Sequence, residues 1–242
     1  MISIGVLTPH AAAGPEVELP DMAPGQVVTR IARISATGAT RSEPPTSPSG
    51  LRELTEPSVL DSAAGALVRA SVDVIGYAST STGYAIGFDA EVSMLERLAQ
   101  RWGLPVVGTS ASAVAALRVL QIRRVALVHP PWFDDELHDL GATYFRSEGF
   151  EVVWSGSADL VNDPRRVEPG AIVDWVSRNV SDDAEAVFIG GTGFRAARAI
   201  AALEERLGRP VLESNQVLLW SILAELEAHL EVRGHGRLFA RT

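Results

Sequence analysis

An α/β fold of two similar lobes, each a parallel sheet flanked by helices, is predicted by three observations on the 242-residue chain. Apolar strand-like runs alternate with helical stretches from end to end, which implies parallel sheets covered on both faces. Two of those runs are near copies: Val74-Ile75-Gly76-Tyr77 opens into Ala78-Ser79-Thr80-Ser81, and Ala186-Val187-Phe188-Ile189 opens into Gly190-Gly191-Thr192-Gly193. A second pair follows at similar spacing, Gly103-Leu104-Pro105-Val106-Val107 and Gly208-Arg209-Pro210-Val211-Leu212. The chain therefore reads as a duplicated strand, loop, helix and strand unit. A first lobe of residues 1–117 plus 215–242 and a second lobe of residues 118–214 are the expected domains, with the C-terminal helix closing back on the first.

Taken in order, Ile2 to Leu7 is the first strand, broken by Thr8-Pro9 before the small residues up to Pro15. Val27 to Ile34 alternates as a second strand. Ala36 to Gly50, rich in Thr, Ser, Pro and Gly, reads as a mobile loop, either a connector or a lid over the strand ends. Leu51 to Ala70 has helical spacing, with a helix start at Pro57 inside it. A helix from about Gly87 to Trp102 ends at Gly103, and Ser110 is placed as the cap of a helix over Ala111 to Leu120.

The second half repeats the order. Arg124 to Val128 is a strand, and Asp134-Asp135-Glu136 opens a helix to Glu148, acidic residues suiting a first helical turn. Phe150 to Trp154 is a strand and Val167 to Asn179 a helix. Phe194 to Leu207 is a further helix, Pro210 to Leu212 the last strand, and Gln216 to Leu230 a long amphipathic helix.

Composition narrows the chemistry. Hydrophobic residues at 46% and charged residues at 21% suit a globular protein. A formal net charge of -9 without a basic run argues against nucleic acid as partner. The absence of cysteine excludes disulfides, thiolate metal sites and thiol nucleophiles. No His/Asp/Glu spacing resembles a metal site. The amino-terminal run has no basic lead and is too short for a signal peptide or membrane span, so a cytoplasmic protein with no membrane partner is expected. Association of copies into a homo-oligomer stays open.

In parallel sheets ligands bind beyond the carboxyl ends of the strands. Five loops meet that condition: Pro9 to Pro15, Ser79 to Ser81, His129 to Trp132, Gly190 to Gly193, and Ser214-Asn215. Hydroxyls at Thr80, Ser81 and Thr192, with the amides of Gly191 and Gly193, would make a neutral cradle suited to a carboxylate. His129, at a strand end, could protonate a carbanion or activate Ser79; hydrogen bonding to loop backbone is its bland alternative. His10 is a second candidate of the same kind, His229 and His235 are placed on the surface, and Glu213 and Asn215 border the pocket or serve as caps.

The motifs in this order resemble the aspartate/glutamate racemase superfamily, in its branch of maleate cis-trans isomerases and arylmalonate decarboxylases. Ile4-Gly5-Val6-Leu7-Thr8-Pro9, Ala78 to Ser81, Gly103 to Val107, Arg124 to Val128 with Asp134-Asp135, Gly190 to Gly193, and Gly236-Arg237-Leu238 carry the resemblance over nearly the whole chain. It implies a cofactor-free enzyme with two pseudosymmetric domains around a small carboxylic acid. It also implies a cysteine in each loop of the isomerases and racemases, and only the second in the decarboxylases. Those positions fall on Ser79 and Gly191. The family's carboxylate-binding hydroxyls carry over to Thr80 and Ser81, its backbone donors to Thr192 and Gly193, and a tyrosine position to Trp132.

A serine hydroxyl needs an adjacent base to act where a thiol would not. Two functions follow as expectations. One is a cofactor-independent isomerase or decarboxylase in which Ser79 or His129 handles the proton while Thr80, Ser81, Trp132, Gly191, Thr192 and Gly193 bind substrate. The other is a non-catalytic carboxylate-binding protein that kept the cradle.

Overall fold

The computed structural model describes residues 1–10, 12–34 and 47–241. Its first sheet holds β1 (Ile2–Thr8), β2 (Val27–Arg33), β3 (Val74–Tyr77) and β4 (Val106–Gly108) in the order β2-β1-β3-β4. The second holds β5 (Arg124–His129), β6 (Glu151–Ser157), β7 (Ala186–Ile189) and β8 (Val211–Glu213) in the order β6-β5-β7-β8. Every pairing is parallel, and in each sheet the two central strands are fully or almost fully buried. The shared strand order makes the lobes copies of one plan, as the internal repeat predicts.

The helices are α1 (Pro15–Met22), α2 (Pro48–Glu53), α3 (Pro57–Arg69), α4 (Thr80–Ile86), α5 (Phe88–Trp102), α6 (Thr109–Val119), α7 (Asp135–Ser147), α8 (Pro169–Asn179), α9 (Ile200–Leu207) and α10 (Ser214–Glu225). Proline starts α3, where its missing N–H costs nothing. Asp134 caps α7, its carboxylate accepting the Leu137 N–H at 3.0 Å. Gly103 and Gly208 end α5 and α9 in left-handed conformation with φ of 65° and 70°, so the repeated Gly-x-Pro is a repeated helix stop followed by a strand.

Several boundaries differ from the sequence reading, each for a local reason. Ser79 turns the chain directly into α4, a helix too short to show periodicity. Ser110 lies inside α6 rather than capping it, because its hydroxyl donates to the Thr80 carbonyl at 3.2 Å. The stretch after Gly193 stays irregular to Ala196 and passes through a 3-10 turn at Ala197–Ala199 before α9 begins. Of the loop expected over residues 36–50, residues 36–46 lie outside the described residues, while Pro48 to Gly50 form the start of α2.

The largest correction concerns α10. It ends at Glu225 instead of Leu230, and it is not amphipathic: Ser214 to Trp220 are all buried. A helix apolar all round belongs in a core. It leaves the end of β8 and packs on α6, β3 and β4 of the first sheet, where Leu218 and Ile222 approach the Cα of Gly76.

One apolar cluster runs through both lobes, joining Tyr77, Tyr84, Leu117 and Trp220 to Leu127, Phe145 and Phe188. A polar clasp reinforces it: the Tyr144 hydroxyl on α7 donates to the buried Glu91 carboxylate on α5. Burial pushes Glu91 up to about 7, with the hydrogen bonds from Tyr144 and the backbone of Ala111 and Ser110 pulling the other way. Among the described residues no helix is long and apolar enough to cross a membrane.

Candidate functional site

The carboxyl ends of β1, β3, β7 and β8 deliver their loops to one buried polar seam between the sheets. Ser79 leaves β3 in extended conformation, and its Oγ caps α4 by accepting the Thr82 N–H at 3.3 Å. The same oxygen lies 2.7 Å from Thr82 Oγ1 and 3.4 Å from Ser81 Oγ, and all three residues are buried. These partners are hydroxyls and an amide, none of them a base.

Thr80 joins the lobes. Its Oγ1 accepts the N–H of Gly191 at 3.1 Å and lies 3.0 Å from Ser214 Oγ at the start of α10, all fully buried. Ser214 also donates to the Ile189 carbonyl at 3.3 Å. One threonine hydroxyl thus meets the end of β7 and the start of α10 together.

The glycine turn is built on backbone. Gly191 has φ +89°, and a Cβ there would fall 2.8 Å from Pro130 Cγ, so any side chain meets both strain and a ring. Thr192 donates through Oγ1 to the Ala78 carbonyl at a long 3.4 Å, while its own carbonyl accepts Asn215 Nδ2 at 2.9 Å. Gly14, in the loop after β1, packs so tightly that a Cβ would lie 2.4 Å from the Thr192 oxygen. Trp132 is half-buried, edge-on to Phe194 at 5.9 Å, with its ring 3.9 Å from where a Cβ on Gly193 would stand.

Of the residues singled out from sequence, Ser79, Thr80, Ser81, Gly191, Thr192, Gly193 and Trp132 therefore lie along one seam. His129 lies behind it. It is fully buried, stacked on Phe133 at 5.5 Å and His138 at 5.2 Å, with Nε2 3.4 Å from Ser155 Oγ. Its Nδ1 faces the Cα of Gly190 beside the hydroxyl of Tyr84. Burial, with His138 adding to it, lowers its pKa to about 3, so the ring is neutral at neutral pH. His10 is half-buried, with its N–H on Thr8 Oγ1 at 3.3 Å. His229 is exposed, as expected. His235 is half-buried and meets the Ala197 carbonyl, so it departs from the surface placement.

Sequence reasoning missed Ser214 as the partner of Thr80, Tyr84 as the neighbour of His129, and Glu18. Glu18 sits on α1 yet is buried, with Oε1 accepting the Ala197 N–H at 2.9 Å and Oε2 accepting Asn215 Nδ2 at 2.6 Å. No periodicity marks it in Pro15-Glu16-Val17-Glu18-Leu19-Pro20. Glu213 caps α10 in a capping box with Gln216. Burial raises both carboxyls, Glu18 to about 7, and the charge of Glu18 raises Glu213 further. Among the described residues no group of three or more His, Asp or Glu could hold a metal ion.

Two parallel sheets of one strand order, meeting through strand-end loops at a buried seam of hydroxyls and amides, define a two-lobed α/β class of protein. Within that class the chain belongs to the arylmalonate decarboxylase family, whose model matches residues 4–239. The arylmalonate decarboxylase of Bordetella bronchiseptica is 26% identical over 171 residues, covering 69% of this chain and 70% of that protein. A maleate cis-trans isomerase of Nocardia farcinica, solved as a cysteine-to-serine mutant with a covalently bound succinylcysteine intermediate, superposes with a TM-score of 0.85. It shows 23% identity and covers 100% of this chain and 99% of its own. A maleate isomerase of Pseudomonas putida solved with maleate gives a TM-score of 0.83 at 22% identity, covering 99% and 97%. Unliganded arylmalonate decarboxylase gives 0.81 at 20% identity over the full length of both chains.

Proposed function

We propose that the chain is a cofactor-independent enzyme of the decarboxylase type, acting on a small carboxylic acid held at the seam. The observation that carries this is the bond between Thr80 and Gly191, which brings the two strand-end loops into register. Thr80, Ser81, Trp132, Gly191, Thr192 and Gly193 are the residues assigned to substrate, and residues 1–117 plus 215–242 and 118–214 the two units that supply them.

The direction of the chemistry follows from what a hydroxyl can do. Loss of CO2 from a malonate breaks a carbon–carbon bond and leaves the electron pair on the α-carbon, delocalised into the remaining carboxylate as an enediolate. That species is far more basic than an alkoxide, so a weak acid such as the Ser79 hydroxyl can deliver the proton, the Ser79 alkoxide then regaining a proton from solvent water as product leaves. Racemisation or thiol-like addition needs the reverse: a group basic or nucleophilic enough to start the reaction, which Ser79, with only hydroxyl and amide partners, is not. His129, held neutral behind the seam, is not a cationic acid. Desolvation of the departing carboxylate and amide donors for the enediolate supply the remaining rate acceleration.

Thermal shift with malonate, phenylmalonate and maleate, followed by CO2 release and deuterium incorporation from D2O, tests the proposal. Stabilisation with turnover that Ser79→Ala reduces about 100-fold supports it; turnover unaffected by Ser79→Ala and by His129→Phe removes both groups from the chemistry. A second reading, a carboxylate-binding protein without catalysis, is favoured by the lack of a base beside Ser79 and of any side chain at Gly191. Malonate binding with no CO2 released selects it.

A further inference from the structure

Beneath the Thr192 turn, Asn215 faces three acceptors with one amide nitrogen. Its Nδ2 lies 2.6 Å from Glu18 Oε2, 2.9 Å from the Thr192 carbonyl and 3.4 Å from Glu213 Oε1. An amide nitrogen has two hydrogens, so the two short contacts use them and the third oxygen receives none. Glu18 accepts at both oxygens, from Ala197 N–H and from Asn215. Glu213 accepts two helix N–H groups, Asn215 and Gln216, on Oε2 at 2.8 and 3.0 Å. That leaves Glu213 Oε1 beside a second carboxylate with no hydrogen directed at it, unless it carries one itself.

We propose that Glu213 remains protonated beside Glu18 at neutral pH, and that this neutral carboxyl frees Asn215 to position the Thr192 turn. Two carboxylates in one buried site do not both ionise readily, because each lacks solvent and repels the other. Charged groups of both signs surround the pair. On α1, Asp21 pairs with Arg198, and Glu16 pairs with Arg33. Arg195, after the glycine turn, gives Nη2 to the neutral Pro164 carbonyl at 3.0 Å, so its charge still acts on Glu18 and favours ionisation there, opposed by the charge of Asp21. Arg165 and Glu168 stand across a cleft of about 210 Å³ beside Glu18. On the far side of α10, Gln216 Nε2 donates to the His235 carbonyl, and the His235 ring meets Ala197. If Glu213 ionised, Asn215 would be drawn toward a second anion and away from Thr192, and the turn would lose its only side-chain donor to that carbonyl among the described residues. Glu18, Glu213 and Asn215 are positioning residues, and their relevance to substrate rests on the carboxylate reading of the seam given above.

Amide hydrogen exchange of the peptide spanning residues 190–196 tests this without ligand, after correction for the intrinsic pH dependence of exchange. Opening that exposes Glu213 releases its proton, so opening is expected to grow as pH rises above neutrality, by at most about tenfold per pH unit. Glu213→Gln, the neutral mimic, is expected to keep the turn protected and to flatten that slope, whereas Glu213→Ala exposes the turn at every pH. A flat wild-type profile, or a Glu213→Gln profile as steep as wild type, overturns the proposal. Isothermal titration with malonate separates it from the functional reading: no malonate binding alongside the expected exchange profiles discards the carboxylate cradle and leaves the proton on Glu213 standing.

Discussion

The two strand-end turns occupy equivalent places in a duplicated unit, yet they meet the seam with different chemistry. After β3, the turn carries hydroxyls on consecutive residues and becomes a helix at once, Ser79 capping α4 with its own oxygen. After β7, the turn carries glycines, takes φ +89° at Gly191, and stays without a helix until the 3-10 turn at Ala197. One lobe therefore contributes side-chain oxygens and the other contributes backbone amides. A duplicated frame can diverge this way because a strand end fixes where a donor must stand and leaves open which atom supplies it.

The contrast can be broken most severely on the glycine side. Gly191→Ala combines left-handed strain with a contact on the Pro130 ring and is expected to cost about 3 kcal/mol, read from the urea midpoint. Thr80→Val removes the acceptor that the two lobes share and strands the buried Gly191 N–H, while Ser214 keeps its bond to the Ile189 carbonyl. The expected loss is about 2–3 kcal/mol, and Thr80→Ser, which keeps the oxygen, should recover most of it. Ser79→Ala deletes one helix cap, worth about 1 kcal/mol by the same measurement. Thr192→Val removes only the 3.4 Å bond to Ala78 and should cost about 0.5 kcal/mol. If Thr192→Val proved as damaging as Thr80→Val, the asymmetry between the turns would be wrong.

A pH profile sharpens the comparison further. His129 has a folded pKa of about 3 against an ordinary 6.5, so the native state binds fewer protons. Its contribution is complete above pH 6.5 and is lost as pH falls toward 3. Glu91 runs the opposite way: raised to about 7, it favours the native state below about 4.5 and loses that favour as pH rises to 7. His129→Phe should therefore make the rise in melting temperature between about pH 3 and 6.5 shallower, and Glu91→Gln should remove the opposing fall between about pH 4.5 and 7.

How much of this was legible in the sequence depended on range. Strands, the repeat and the helix stops at Gly103 and Gly208 are set by local pattern and stand close to where the sequence places them, though β6 spans Glu151–Ser157 instead of Phe150 to Trp154. Ser79, Thr80, Ser81 and Gly190 to Gly193 were legible because small residues at a strand end leave few other uses. Glu18 was not, because its burial depends on Asn215, 197 positions away. His129 was legible as a strand-end histidine, but its neutral state comes from Phe133, His138 and the surrounding core, which spacing does not report. The amphipathic reading of α10 failed because its last residues lie beyond Glu225 and its first turns are enclosed on every side.

That enclosure constrains how a ligand could come and go. Because α10 springs from the last strand of one sheet and is wedged against β3 and β4 of the other, hinging the lobes apart would mean bending a helix through the middle of a close-packed interior. Traffic to the seam is better served by loops peeling back at its rim, with the two halves of the molecule acting as a fixed vault rather than as jaws.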